Sequence, residues 1–97
     1  MFLVVNHIPA ATAPEFDRIA EAFRRTAPDL KQFEGFLGLE IWREEGALLA
    51  VSRWRDREAF LQYPRSEVFK EHHKGLVAAE AMHSTQIRMY EGETLLG

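Results

Sequence analysis

The chain has 97 residues, no cysteine and a formal net charge of −3, with 46% apolar and 28% charged side chains. That is the size of one domain, taken as residues 1–97, and it excludes disulfides, thiolate catalysis and cysteine-ligated zinc or iron–sulfur centres. There is no long basic run to bind nucleic acid, and the apolar start reaches Asn6 too soon to be a signal or a membrane span; a cytoplasmic protein is expected.

Residues 2–7 read as a strand, because β-branched and aromatic types dominate the run and Pro9 ends it. Its period-2 sets are Phe2/Val4/Asn6 and Leu3/Val5/His7, so the Asn6 amide shares a face with two apolar side chains. Residues 12–27 read as a helix. Thr12 and Glu15 have the spacing of a capping box, Pro14 suits the first turn, and Phe16, Ile19, Ala20 and Phe23 form one stripe. Pro28 stops it. Residues 34–42 and 47–54 read as two strands of a hairpin around Glu44-Glu45-Gly46. Strict alternation places Leu37, Leu39 and Ile41 on one face of the first and Phe36, Gly38, Glu40 and Trp42 on the other, with a bend or bulge at the glycines.

Asp56 can cap a short helix holding Ala59, Phe60 and Tyr63, and Ser66 can cap another over 67–79. Residues 83–90 alternate as a last strand. The order β-α-β-β-α-α-β describes an α+β, ferredoxin-like fold with a four-stranded antiparallel sheet. Helices on one face leave the other sheet face bare, and 97 residues leave nothing to cover it. A second copy would do so, giving a homodimer with its sheets face to face.

Few residues offer chemistry. His73 follows Phe69 by four positions and precedes Leu76 by three, at the margin of the helix stripe. It reads either as a metal ligand or as a border histidine, and spacing alone does not separate it from His72. Asn6 ends an apolar strand and either faces a cleft or braces the turn before Pro9. Trp54 and Tyr63 either wall a pocket for a flat ligand or pack the core. No phosphate loop, helical zinc pair or nucleophile elbow is present.

The stretch FEGFLGLEIWRE, followed after a turn by LLAVSRWRDREAFLQYPRSEVFKEHHKG, resembles the antibiotic-biosynthesis-monooxygenase family of dimeric α+β barrels, and within it the small haem-degrading monooxygenases. The resemblance implies a haem-binding monooxygenase that cleaves porphyrin with oxygen and an external electron donor. His73 would then be the proximal iron ligand, and Asn6 a distal hydrogen-bonding group. Tyr63 would be the aromatic against the porphyrin plane, with Phe69 beside it. Relatives usually carry Trp at the Tyr63 position, and a phenol distorts a macrocycle less than an indole would. The wider family also implies two alternatives: a cofactor-free monooxygenase of a quinol or aromatic metabolite, with His73 as base, or a dimer that only binds a small ligand.

Overall fold

The computed structural model describes residues 1–74 and 86–97, with residues 72–74 described through their backbone. Strand β1 (Phe2–Pro9) leads to helix α1 (Ala13–Thr26), a 3-10 helix η1 (Ala27–Gln32), the hairpin β2 (Phe36–Glu44) and β3 (Ala47–Trp54), two short helices α2 (Arg57–Leu61) and α3 (Glu67–Lys74), and strand β4 (Gln86–Glu91). All strand pairs are antiparallel, in the order β2-β3-β1-β4. This is the expected ferredoxin-like α+β sheet. The expected extension of the last helix over 75–79 and of the last strand over 83–85 lies outside the described residues.

The helix starts follow the sequence. Thr12 Oγ1 accepts from the Glu15 amide at 3.3 Å while Glu15 Oε2 accepts from the Ala11 amide at 2.9 Å. Asp56 Oδ1 accepts from the Ala59 amide at 2.8 Å, and Ser66 Oγ from the Phe69 amide at 3.1 Å. Each side-chain oxygen satisfies a backbone donor that the first helical turn leaves unpaired. Pro28 ends α1 as expected but does not end helical structure. The chain tightens into η1, where a proline in the first turn has no amide to lose.

One expectation is corrected. Strict alternation separates Phe36 from Leu39 and Ile41, but the β2–β3 register shifts between Phe36 and Gly38. Phe36 pairs with Trp54, Leu39 with Ser52 and Ile41 with Ala50, so all three share the helix-covered face. Leu37 is the extra residue and is left 58% exposed. A bulge shifts alternation by one place, which a period-2 reading of the sequence cannot detect in advance.

The covered face holds two core clusters. Ile8, Ala10, Phe16, Ala20, Leu48 and Ala50 form one beneath α1, with Ile19 and Phe23 against it. Phe2, Val4, Trp54, Ala59 and Phe60 form the other beneath α2. On β1 the clusters are separated by a single inward position, residue 6.

Among the described residues, no helix lies on the opposite face. Leu3, Val5, Leu49 and Val51 make an apolar floor, edged by the exposed Trp42 and Tyr90. Across it, Glu40 accepts from Arg53 Nε and Nη2, both at 3.2 Å, and from Trp42 Nε1 at 3.0 Å. The Arg53 bonds, followed by the Trp42 bond, hold the Glu40 carboxyl below its ordinary range. It therefore stays ionised on this face at neutral pH.

Candidate functional site

Asn6 lies on the covered face of β1, between Ala50 on β3 and Ile87 on β4. Asn6 Oδ1 is buried and has no hydrogen-bond partner among the described residues. A buried acceptor left unpaired costs about 1–3 kcal/mol, so native folds rarely keep one without a use. Asn6 therefore faces the interior, and the reading that it only braces the turn before Pro9 is not what the structure shows.

The same face carries an aromatic box around Trp54. Trp54, 1% exposed, takes the ring of Phe36 edge-on at 5.2 Å and that of Phe60 at 5.6 Å. Its Nε1 donates to Ser52 Oγ at 2.9 Å, on the strand residue opposite Val4. Trp54 is thus core. Tyr63 stacks on Trp54 with centroids 6.4 Å apart and an interplanar angle of 29°. Phe33 and Phe69 meet the Tyr63 ring edge-on at 5.7 and 5.1 Å. Edge-to-face and offset-stacked pairs at such spacings exceed plain area burial by about 0.5–1.5 kcal/mol each. The enclosure pushes the Tyr63 phenol up to about 12 by desolvation, so it is an O–H group, not a phenolate, at any physiological pH.

The turn after Tyr63 fixes the direction of α3. The Tyr63 carbonyl accepts from the Ser66 amide at 3.0 Å and from Ser66 Oγ at 2.6 Å, while that same Oγ caps α3 at Phe69. One serine therefore ties the aromatic to the helix that carries Phe69 and, one turn later, position 73. Four residues at 100° each bring position 73 to about 40° from Phe69 around the axis, with the α3 backbone helical to Lys74. The His73 side chain lies outside what is described. His7 is excluded from this site: it sits on the bare face, its Nε2 3.3 Å from Glu44 Oε2.

Asn6 lies on the helix-covered face of the sheet, on which Tyr63 and Phe69 are in ring contact. Phe33 and Phe36 also belong to the box and were not anticipated. Phe33 lies in a connection with no periodicity to read, and Phe36 is hidden by the bulge. No group of three histidine, aspartate or glutamate side chains gathers among the described residues, and a prosthetic group such as haem needs only a single imidazole from the protein. The buried unpaired amide, the planar aromatic wall and the histidine position one turn from Phe69 fit such a group. No helix among the described residues is long and apolar enough to cross a membrane.

Comparison with known proteins bears on this arrangement. Residues 1–75 match the model of the family described as antibiotic biosynthesis monooxygenase. The heme-degrading monooxygenase of Halalkalibacterium halodurans is 24% identical over 98% of this chain and 85% of its own. Among solved structures, a mutant of MhuD with two manganese protoporphyrin IX bound per active site is 21% identical, with a TM-score of 0.79 over 100% of this chain and 99% of that one. SnoaB, a cofactor-independent oxygenase from Streptomyces nogalater, is 22% identical, with a TM-score of 0.73 over 97% and 95% of the two chains. The likeness to both structures carries the shared fold.

Proposed function

The chain belongs to the antibiotic biosynthesis monooxygenase family, and we propose that it is a haem-binding monooxygenase, working as a homodimer and degrading porphyrin with oxygen and an external reductant. The observation that carries this reading is the buried, unpaired Asn6 Oδ1 on the same sheet face as the Trp54–Tyr63 stack. A polar group is held ready in an otherwise apolar interior, at a cost in stability that a ligand would offset.

His73 would hold the iron and Asn6 would offer a hydrogen bond to the bound group. Tyr63, Phe69 and the rings behind them would set the plane and keep water out. Haem, when bound, would supply redox-active iron and the porphyrin to be oxidised. Tyr63 contributes its ring face and a neutral O–H. With its ionisation pushed to about 12 it is no base. No side chain of the box is a nucleophile. The bare sheet face supports the dimer: half-buried Leu3, Val5 and Leu49 surround the already buried Val51, and a second copy would cover the rest of this apolar floor.

A second reading rests on the chemistry of the orphan itself. Oδ1 is an acceptor, and the O–H of a quinol or phenol would satisfy it directly. Cofactor-free oxygenation of such a substrate is the alternative, with His73 as base.

Haem titration of the purified protein separates the readings. The expected result is a saturable Soret shift at one haem per chain that His73→Ala abolishes while the assembly state is unchanged. Added reductant in air should then bleach the Soret band into a new chromophore with catalase present. Unchanged affinity in His73→Ala would move the ligand elsewhere, with His72 next. No specific shift, but oxygen uptake with quinols, would establish the second reading. Binding of a small aromatic without uptake would leave a ligand-binding dimer.

A further inference from the structure

The connection between α2 and α3 is built to hold two groups in a fixed relation. Tyr63, Pro64, Arg65 and Ser66 form a turn closed by the Ser66 amide, which donates to the Tyr63 carbonyl at 3.0 Å. Pro64 takes the second place, where its fixed φ suits a turn. A serine hydroxyl can donate one hydrogen bond and still accept, and Ser66 does both. It donates to the Tyr63 carbonyl at 2.6 Å and accepts from the Phe69 amide at 3.1 Å. Tyr63 and Phe69 meet again through their rings, edge-on at 5.1 Å. The two residues are therefore joined twice, once through the rings and once through Ser66 Oγ.

Capping a helix needs only half of this. An acceptor for the first-turn amide suffices, and Asp56 caps α2 with a carboxylate oxygen that has no proton to give. The bond that Ser66 donates goes to a carbonyl already engaged by the Ser66 amide, so it meets no unpaired backbone group. What it adds is a rigid link from the Tyr63 backbone to the first turn of α3. That link has leverage. Position 73 lies about 10 Å along the helix axis from Ser66, and the α3 backbone is helical from Glu67 to Lys74. A tilt of about 10° at the first turn moves position 73 by about 2 Å, whereas a working site tolerates about 0.5 Å. An eight-residue helix does not hold its own direction by propensity alone.

We propose that Ser66 is a positioning residue of the aromatic site. Its hydroxyl, held between the Tyr63 carbonyl and the Phe69 amide, sets the Tyr63 ring and position 73 in the relation that a ligand using both requires. The proposal rests on the reading of Tyr63 and His73 as parts of one site, but the link itself is present without any ligand.

Three variants separate the link from the cap. Ser66→Thr keeps donor and acceptor, Ser66→Asp keeps the acceptor alone, and Ser66→Ala loses both. In the apoprotein, hydrogen exchange at the Phe69 amide should be as slow in Ser66→Thr and Ser66→Asp as in the parent, and faster in Ser66→Ala. The near-ultraviolet circular dichroism of the ring cluster should match the parent in Ser66→Thr and differ in Ser66→Asp, although both unfold at the parent's urea midpoint. In haem titrations Ser66→Asp should raise the dissociation constant about 10- to 100-fold and displace the Soret maximum, and Ser66→Thr should restore both. A parent-like ring spectrum in Ser66→Asp overturns the proposal and leaves Ser66 a cap, as does a parent-like haem affinity. If the parent protein itself gives no specific Soret shift, the haem reading fails separately. The ring spectrum of apo Ser66→Asp then decides the link alone, an altered spectrum upholding it and an unaltered one overturning it.

Discussion

At the scale of single residues, Asn6 and Tyr63 are polar groups given over to the interior, and each leaves a thermodynamic mark. Asn6→Ala removes an unpaired buried acceptor but leaves a small void, and the two effects oppose each other. Its unfolding free energy in urea should stay within about 1 kcal/mol of the parent, while oxygen-dependent turnover is lost. A loss of stability well beyond that would make Asn6 a structural residue. Tyr63 has the reverse character. Its phenol ionises near 10 in the unfolded chain and at about 12 in the folded one. Below pH 10 both states hold the proton and no stability is lost. Between pH 10 and 12 the unfolded chain releases it first, so stability falls with rising pH, by up to about 3 kcal/mol across the window. Tyr63→Phe should flatten that segment of the stability–pH curve. An unchanged slope in alkaline urea titrations would place the lost proton elsewhere.

At the scale of elements, the connection from η1 to β2 decides whether the aromatic box closes. Gly35 has φ +85°, and its carbonyl accepts from the Arg55 amide at 2.7 Å. A Cβ there would stand 2.6 Å from the Ala59 Cβ, in the floor of the second core cluster. Gly35→Ala combines a left-handed backbone with overpacking and should cost about 2–4 kcal/mol by urea denaturation. The damage should fall on Phe33, Phe36 and Trp54, and loss of near-ultraviolet circular dichroism would locate it there. This junction also marks where sequence reading runs out. The caps at Thr12, Asp56 and Ser66 could be read because a short polar side chain before a helix has one main use. The inward face of β1 was legible for the same kind of reason, since eight residues without a bulge keep strict alternation. The bulge after Phe36 obeys no local pattern and is set by the approach of Gly35 to Ala59, two residues far apart in the chain. The candidate site was legible as residue types but not as an enclosure. Tyr63 and Asn6 stand out by chemistry, whereas Phe33 is indistinguishable in sequence from any core phenylalanine.

At the scale of the whole molecule, the proposed dimer would use the bare sheet face, and this can be tested directly. Leu49 lies in the middle of the bare sheet face, between Trp42 and His7 in register. Leu49→Asp puts a carboxylate on that floor close to Glu40 and Glu44, so sheet-to-sheet association should weaken by at least 100-fold, about 2.7 kcal/mol. Sedimentation across a concentration series measures this directly, and an unshifted isotherm would free the face from the interface. The covered side has a different consequence. Among the described residues its buried apolar side chains form two clusters, parted along β1 at Asn6, whose buried Oδ1 has no partner there. A ligand that pairs with this oxygen would bind the folded state alone, and at a free concentration 100 times its dissociation constant would add about 2.7 kcal/mol to the folding equilibrium. In a cell, proteases act on the opened chain. The standing amount of this protein would then track the supply of its ligand, rising and falling with it without any change in synthesis.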